Sequence, residues 1–447
     1  MLGIKMSQWK KVRIGNFLTE RTGRYKPDDS TIAQYQRLDK IDFSGTIHIS
    51  NKPTKTDMIL VQPGDLVISG INVAKGAVSV YQGTEPVCAT IHYSAYTFNE
   101  NIVDLDFFRF FVKSPAFLEA LKRQVKGGIK TEIKPKHLLP LEISIPDLSE
   151  QKRIVATVSN SLKKTEDLQK EIDSQKEYVK LLRQNILQDG IEGKLTVEWR
   201  KSHPVIKGNP DYDAEALFEK IQKEKASDKK QRELPTITDE EKPFEIPKGW
   251  KWVRLGEITT LITDGKHGDS VNKDNSGFYF LSAKDIQNEK LVYENARQIT
   301  EEDFYETHRR TNLEPGDICI VNTGATVGKL AIAPDDLKTY NTTFQKSVAV
   351  VKLVKNIINN KYIKFYFLND VPRLMQKSWG SAINNLLLAD MRAELIALPP
   401  LLEQNEVVRR IENQLKKVCQ LETQIQEQEI YTKQLMQSIL KDSFKGE

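Results

Sequence analysis

The chain has 447 residues, 39% of them hydrophobic and 28% charged, with a net charge of +5. That length exceeds what one hydrophobic core usually serves, and two domains plus an extended element fit it. No run of about 18 apolar residues and no leader-type segment is found, so a cytoplasmic protein without a membrane span is expected; three scattered cysteines, Cys88, Cys319 and Cys419, fit a reducing compartment.

Residues 1–149 are expected to form a first globular body. It opens on Trp9-Lys-Lys-Val-Arg-Ile-Gly15 and carries 20 Lys and Arg against 15 Asp and Glu, so the basic excess of the chain lies here. A net of +5 is a weak sign of nucleic-acid binding by itself, and the clustering says more. Arg21, Arg24 and Lys26 surround Tyr25, while Lys122, Arg123, Lys126, Lys130, Lys134 and Lys136 surround Gly127-Gly128. Glycine lets side chains and backbone come close to a phosphate. Between them, Pro63-Gly64-Asp65 is followed by Asn72, Lys75 and Gly76, which reads as a turn between strands. The run Phe107-Phe108-Arg109-Phe110-Phe111-Val112-Lys113 is interrupted by charge and reads as a buried helix.

Residues 150–193 read as a long helix with a coiled-coil seam. Its stripe is Ile154, Val158, Ser161, Thr165, Leu168, Ile172, Gln175, Val179, Leu182 and Ile186, stepping by four and three, with seven of ten positions apolar. Gly190 and Gly193 end it. Residues 194–249 form a charged linker with a short helix near Asp213–Ala226, and Pro235, Pro243 and Pro247 then lead extended chain into Gly249-Trp250.

A second body is expected over 250–402 and a second long helix over 403–447, because the chain repeats itself. Pro146 to Gly193 aligns without a gap onto Pro399 to Gly446 at an offset of 253, with 20 identities in 48 columns. Glu150-Gln151 matches Glu403-Gln404, and Tyr178 matches Tyr431. The second stripe is Val407, Ile411, Gln414, Val418, Leu421, Ile425, Gln428, Thr432, Leu435 and Ile439. Upstream the echo is weaker: Trp250-Lys-Trp-Val-Arg-Leu-Gly256 answers the opening at Trp9, and Pro315-Gly316-Asp317 with Gly328 answers Pro63-Gly64-Asp65 with Gly76. A repeat of about 250 residues means a doubled domain and not a solenoid. Each body precedes its helix, so an antiparallel helix pair needs the shorter linker. The predicted fold is α+β: two globular bodies related by a pseudo-twofold axis and separated by an antiparallel coiled coil of two long helices.

Three motifs suggest chemistry and fail on inspection. Asn209-Pro-Asp-Tyr212 resembles the Asn-Pro-Pro-Tyr with which amino-methyltransferases grip a flipped base, but it has Asp for the second Pro, follows no apolar strand, and lies in the linker. Gly324-Ala-Thr-Val-Gly328-Lys329 is one residue short of a phosphate loop, and Leu330 stands where Ser or Thr would bind magnesium. Pro146-Asp147 with Glu150-Gln151-Lys152 has nuclease letters, but the matching Pro399-Pro400 and Glu403-Gln404-Asn405 lack the Asp and the Lys. Both stretches read as helix starts, where acids suit the dipole. The six histidines have no metal-ligand spacing. No catalytic residue, metal or cofactor is expected, and the chain reads as a binder of something else.

The order of these pieces, twice over, resembles the specificity subunits of Type I restriction-modification systems, known as the HsdS family. The resemblance spans nearly the whole chain. It rests on Phe244-Glu-Ile-Pro-Lys-Gly-Trp-Lys-Trp-Val-Arg-Leu-Gly256, on Pro315-Gly-Asp-Ile-Cys-Ile-Val-Asn-Thr-Gly324, and on the leads into the helices, Leu398-Pro-Pro-Leu-Leu-Glu-Gln404 and Ile145-Pro-Asp-Leu-Ser-Glu-Gln151. The first body departs from the pattern in lacking the Pro-Lys-Gly-Trp lead-in. The resemblance implies that each body is a target-recognition domain reading half of a split double-stranded DNA site, and that the helices set the spacer and bind modification (methyltransferase) subunits, two of them by symmetry. Restriction and translocase subunits would complete the complex. Under that reading the DNA contacts would be sought at Arg21, Arg24, Lys26, Asn72, Lys75, Lys126 and Lys130 in the first body. In the second they would be sought at Asp264, Lys266, His267, Lys273, Asn322, Asn341, Thr343, Gln345, Lys346 and Lys377. A coiled-coil adaptor without sequence-specific DNA binding is the alternative, though it leaves the two repeated bodies unexplained.

Overall fold

The computed structural model describes residues 9–50, 52–73, 76–124, 134–225, 234–377 and 385–444. It divides into two compact units, residues 1–175 with 424–447 and residues 176–423. Each unit therefore contains one body together with part of each long helix.

In the first unit the strand Lys10–Arg13 pairs antiparallel with Glu142–Ile145, the last strand before the first long helix. One four-stranded sheet has the order Leu18–Glu20, Tyr93–Phe98, Leu66–Ser69, Val78–Val80. A second has the order Ile47–Ser50, Arg37–Ile41, Val87–Thr90, Met58–Val61. The phenylalanine run is a helix, Leu105–Phe111, capped by the Asp104 carboxylate on the Phe107 N–H. Phe107, Phe108, Phe110 and Phe111 are buried, and Phe17 and Phe117 join them in one core. The charges of Asp106 and Arg109 meet on its outer side at 3.0 Å, as a half-exposed helix requires.

The second unit repeats this frame. Lys251–Arg254 pairs antiparallel with Leu395–Leu398, and the four-stranded sheet runs Thr259–Asp264, Val348–Leu353, Ile318–Val321, Leu330–Ile332. The matched Pro-Gly-Asp segments form the same turn. Gly64 and Gly316 have φ of +88° and +91°, a region that side chains other than glycine rarely enter. The Asp65 and Asp317 carboxylates each accept the N–H three residues back, from Gln62 and from Glu314, at 2.8 Å. The segment Gly324–Lys329 is the connection between two antiparallel strands, Ile318–Val321 and Leu330–Ile332. What differs is the material between strands. Where the first unit has its second sheet, the second has a short parallel pair, Tyr279–Leu281 with Thr342–Phe344, and an 11-residue helix, Glu301–Thr311.

The long helices run Leu148–Ile191 and Leu401–Ser443. The repeated Glu-Gln is explained by its glutamine. Gln151 is fully buried, donates to the carbonyls of Ile102 (3.1 Å) and Pro146 (2.9 Å), and accepts the Asp104 N–H at 2.7 Å. Gln404 does the same with the Pro399 carbonyl (3.0 Å) and the Asn359 N–H (2.9 Å). One amide side chain thus satisfies buried backbone groups that water cannot reach, and fastens each helix to its body.

The helices pair antiparallel. In the first unit Ile154, Val158 and Leu162, near the start of one helix, share a core with Ile439, Leu440 and Phe444, at the end of the other. In the second unit Gly190 lies so close to Ile411 that a Cβ would sit 2.5 Å from its Cδ1. A side chain there would push apart the end of the first helix and the start of the second. Burial along the stripe is narrower than a two-position seam. Val158, Thr165, Ile172, Val179 and Ile186 are buried at intervals of seven, as are Ile411, Val418 and Ile425, with Ile154 and Val407 buried at the helix starts. The alternate apolar positions, Leu168, Leu182, Leu421 and Leu435, stand exposed, and so do Tyr178 and Tyr431. No described helix is long and apolar enough to cross a membrane, and Cys88, Cys319 and Cys419 are free thiols.

Candidate nucleic-acid interface

In the first body Arg24 and Lys26 are exposed on either side of Tyr25, whose backbone N–H and C=O both pair with Met58 at 2.8 Å. That pairing pins the basic segment to the edge of a strand. Arg21 is committed inward: its Nε donates to the buried carboxylate of Asp65. Asn72 is half-buried in the turn that returns the chain to Val78–Val80, its carbonyl accepting the Ala77 N–H at 3.2 Å. Lys122 and Arg123 are exposed at the end of the helix Pro115–Gln124, with Arg123 held by Glu119 at 3.1 Å, and Lys134 and Lys136 are exposed. Lys75, Lys126 and Lys130 lie outside the described residues.

In the second body the loop after the strand Thr259–Asp264 is tied to the helix Glu301–Thr311. The Asp303 carboxylate accepts the Val271 N–H and the Lys266 ammonium, and Glu306 takes Lys266 from the other side at 3.0 Å. Hydrogen bonding to Glu306 holds the Lys266 ammonium above its ordinary pKa, and the Val271 N–H holds the Asp303 carboxyl below its own. Arg297 closes the same loop, binding Asp269 at 2.7 Å and the Ser270 carbonyl. Lys266 is therefore a latch of this loop as it stands. Gly265 permits the latch, since a Cβ there would fall 2.0 Å from the Phe344 carbonyl oxygen.

Around the latch, His267, Lys273, Asn341 and Lys346 are exposed and Gln345 is half-buried. Thr343 is fully buried in the strand Thr342–Phe344, its hydroxyl 3.5 Å from that of Thr311, so it supports the helix and presents nothing to solvent. Asn322 is 4% exposed, and its side-chain oxygen has no partner among the described residues. Lys377 ends the helix Asn360–Lys377, and its side chain lies outside the described residues.

The sequence reading named Asp264 and His267 but missed the residue they meet. His267 Nε2 lies 3.2 Å from Asp264 Oδ2, while Arg310 Nη2 donates to Asp264 Oδ1. In the sequence Arg310 closes a basic helix end, His308-Arg309-Arg310, which suits the helix dipole by itself and gives no hint of a partner 46 residues away.

Of the motifs set aside, Asn209-Pro-Asp-Tyr212 is a turn: Asn209 accepts the N–H groups of Asp211 and Tyr212 at 3.0 and 2.9 Å, and the Pro210 carbonyl accepts the N–H of Leu401 at the second long helix. Beside it the buried Glu403 is engaged by Thr196 (2.7 Å), Arg200 (2.6 Å) and Trp250 (2.8 Å). Asp147 caps the first long helix through the Glu150 N–H at 2.9 Å, which draws its carboxyl pKa down. Among the described residues no group of three or more His, Cys, Asp or Glu is placed to hold a metal ion.

Comparison with known proteins bears on this arrangement. Residues 6–177 and 247–429 each match the family described as the Type I restriction modification DNA specificity domain. The chain is 23% identical over 392 residues to the Type I restriction enzyme EcoKI specificity subunit of Escherichia coli, covering 87% of this chain and 75% of that protein. Among solved structures, it resembles a chain from work on the assembly and conformational transition of the type I R-M system, with a TM-score of 0.65, 18% identity and 98% of both chains covered. The HsdS subunit from Thermoanaerobacter tengcongensis gives a TM-score of 0.52 at 17% identity, over 98% of this chain and 97% of that one. At these identities the structural likeness speaks to the fold.

Proposed function

The chain belongs to the Type I restriction modification DNA specificity domain family, and on that premise we propose that it is the sequence-recognition subunit of a Type I restriction-modification complex, with no reaction of its own. The body over 1–149 reads one half of a split, asymmetric site on double-stranded DNA, and the body over 250–402 reads the other. The helices over 150–193 and 403–447 set the spacer and dock the modification subunits, which carry the methyl transfer; two copies of the helix offer two such docks. Restriction and translocase subunits join the same complex, and the whole works in the cytoplasm.

The observation that carries this reading is the pairing of a constant frame with changed inserts. The sheet order, the Pro-Gly-Asp turn and the glutamine latch occur twice, while the second sheet of one body gives way to a helix in the other. Such a division suits two readers of different sequences on one scaffold. The exposed pairs Leu168 with Leu421, Leu182 with Leu435 and Tyr178 with Tyr431 support helix docking, because apolar residues that recur in the open on a helix favour a partner surface. Arg24, Lys26, Asn72, His267, Lys273, Asn341, Gln345 and Lys346 are the proposed DNA contacts in the described residues. Lys75, Lys126, Lys130 and Lys377 are proposed from charge alone, and Arg21 and Lys266 would have to exchange a carboxylate for a phosphate.

Long-read mapping of modified bases, with and without the gene, tests the proposal. A split motif with two unlike halves should vanish on deletion. If no motif is lost and a complex containing the chain fails to bind duplex DNA, the chain is a coiled-coil adaptor instead.

A further inference from the structure

Arg310, an exposed cation of the second body, is held along one side of its guanidinium. Its Nε donates to Thr263 Oγ1 at 3.4 Å and its Nη2 to Asp264 Oδ1. Both donors lie on one edge of the guanidinium, so that edge is consumed by the protein. The opposite, end-on edge, formed by Nη1 and the second Nη2 hydrogen, is left open among the described residues, and 47% of the side chain is exposed. The anchor is firm. Asp264 is the last residue of a central-sheet strand, paired with Ala349, and its side chain is 13% exposed. Its second oxygen faces His267, which is 60% exposed.

An arginine fixed along its side with its end-on fork free has the geometry to donate two hydrogen bonds to a planar pair of acceptors. In the major groove that pair is O6 and N7 of guanine. Fixing the fork beforehand lowers the rotamer entropy lost on contact. The neighbouring carboxylates do not spoil the approach: Asp303 and Glu306 are taken up by Lys266, and Asp269 by Arg297. Glu301 and Glu302 lie eight or nine residues away along the helix, roughly 12–14 Å.

We propose that Arg310 is a base-reading residue of the second body, recognising guanine in its half of the split site, and that Asp264 is the positioning residue that aims it. This rests on the sequence-recognition function proposed above. It adds one specificity-determining residue and one base to that function.

The test uses the full chain assembled with its modification subunits. The modified motif is mapped for wild type, Arg310→Ala, Arg310→Lys, Asp264→Asn and, as a same-helix loss of charge, Arg309→Ala. Duplexes with each base pair of the motif replaced in turn are then titrated. Arg310→Ala should lower the preference for G·C at one position of one half-site on the order of 10- to 100-fold, with the other half-site unchanged. Arg310→Lys, which keeps the charge without the fork, should lose preference at the same position, and so should Asp264→Asn to a smaller degree. Arg309→Ala should keep the motif. A uniform weakening over all duplexes in both Arg310 variants would make the residue a phosphate contact and overturn the proposal, as would an unchanged motif. If wild type itself marks no split motif, the sequence-recognition reading fails first, which is a different result from a motif that survives Arg310→Lys.

Discussion

The sharpest test of the helices as a ruler is to lengthen them. Four residues added to each helix, between Gln175 and Lys176 and between Thr423 and Gln424, fall where the chain divides into its compact units, so contacts within each unit are kept. Each insertion adds about 6 Å of rise and about 40° of net rotation. Duplex DNA rises about 3.4 Å and turns about 34° per base pair, so one to two base pairs satisfy both quantities. A full heptad behaves differently. It adds about 10.5 Å, the rise of three base pairs, but leaves the helix turned by only about −20°, whereas three base pairs turn about 100°. The DNA would then have to absorb the twist, at a cost in occupancy. The four-residue variant should therefore shift the spacer of the modified motif by one or two base pairs at good yield. The heptad variant should shift it by about three, at lower yield, and both half-sites should be unaltered in either. Long-read modification mapping gives spacer and half-sites in one experiment. A folded variant with its original spacer would refute the ruler, because a helix pair that sets the spacer cannot grow without changing it.

Three further outcomes are expected. Leu182→Lys and Leu435→Lys, at exposed sites 42% and 46% accessible, should change the stability of the chain by no more than about 0.5 kcal/mol yet abolish copurification with the modification subunit; intact copurification would remove these positions from the dock. Phe444→Ala should destabilise the first unit by about 3–5 kcal/mol in urea unfolding, because the ring is buried against Phe107 and Phe111 at centroid distances of 5.4 and 5.7 Å; Phe444→Ile, which borrows the matching residue Ile191, should cost less, and equal losses would show that ring contacts contribute nothing special. Burial holds the His308 imidazole below its ordinary pKa, so the unfolded chain binds the extra proton first, and the stability that neutral His308 contributes is complete above its unfolded pKa of about 6.5 and falls as pH drops below it, by at most about 1.4 kcal/mol per unit. Comparing unfolding at pH 7.5 and 5.5 for wild type and His308→Phe, the variant should show the shallower loss, and parallel losses would exonerate His308.

What the sequence made legible is what repeats or has a period. The heptads of both helices, the antiparallel pairing argued from linker length, and the turn at Gly324–Lys329 are local or duplicated signals, and each is present in the structure. The stripe still overstated the seam. Heptad spacing puts Leu168 and Leu182 on the same face as Ile172 and Val179, but a pair of helices covers only the narrower line, and burial depends on what else packs there. Thr343 and Asn322 carry polar side chains suited to base contact, which is why the sequence alone names them as candidates. They are buried because Thr342–Phe344 pairs in parallel with Tyr279–Leu281, and because Asn322 directly follows the central strand Ile318–Val321. Arg310 was beyond reach for the same reason: a meeting of residues 46 positions apart is a tertiary fact.

The two Pro-Gly-Asp turns indicate why the frame persists while its surface changes. In each, the aspartate is buried and capped by a backbone N–H, and a buried carboxylate also demands a cation. Arg21, just beyond its strand, supplies one in the first unit, whereas Lys352, from the neighbouring strand, supplies it in the second at 2.5 Å. The carboxylate is kept and the donor migrates, so what the frame requires is the charge and not its source. The same logic governs Asp264, whose partners Arg310 and His267 come from the helix Glu301–Thr311 and from the loop that follows its strand. A frame that fixes a carboxylate can thus take its cation from different elements, buried in a strand as at Lys352 or exposed on a helix as at Arg310. Under the proposed recognition function, such an exchange of cations lets the surface of each body vary while its strands stay as they are.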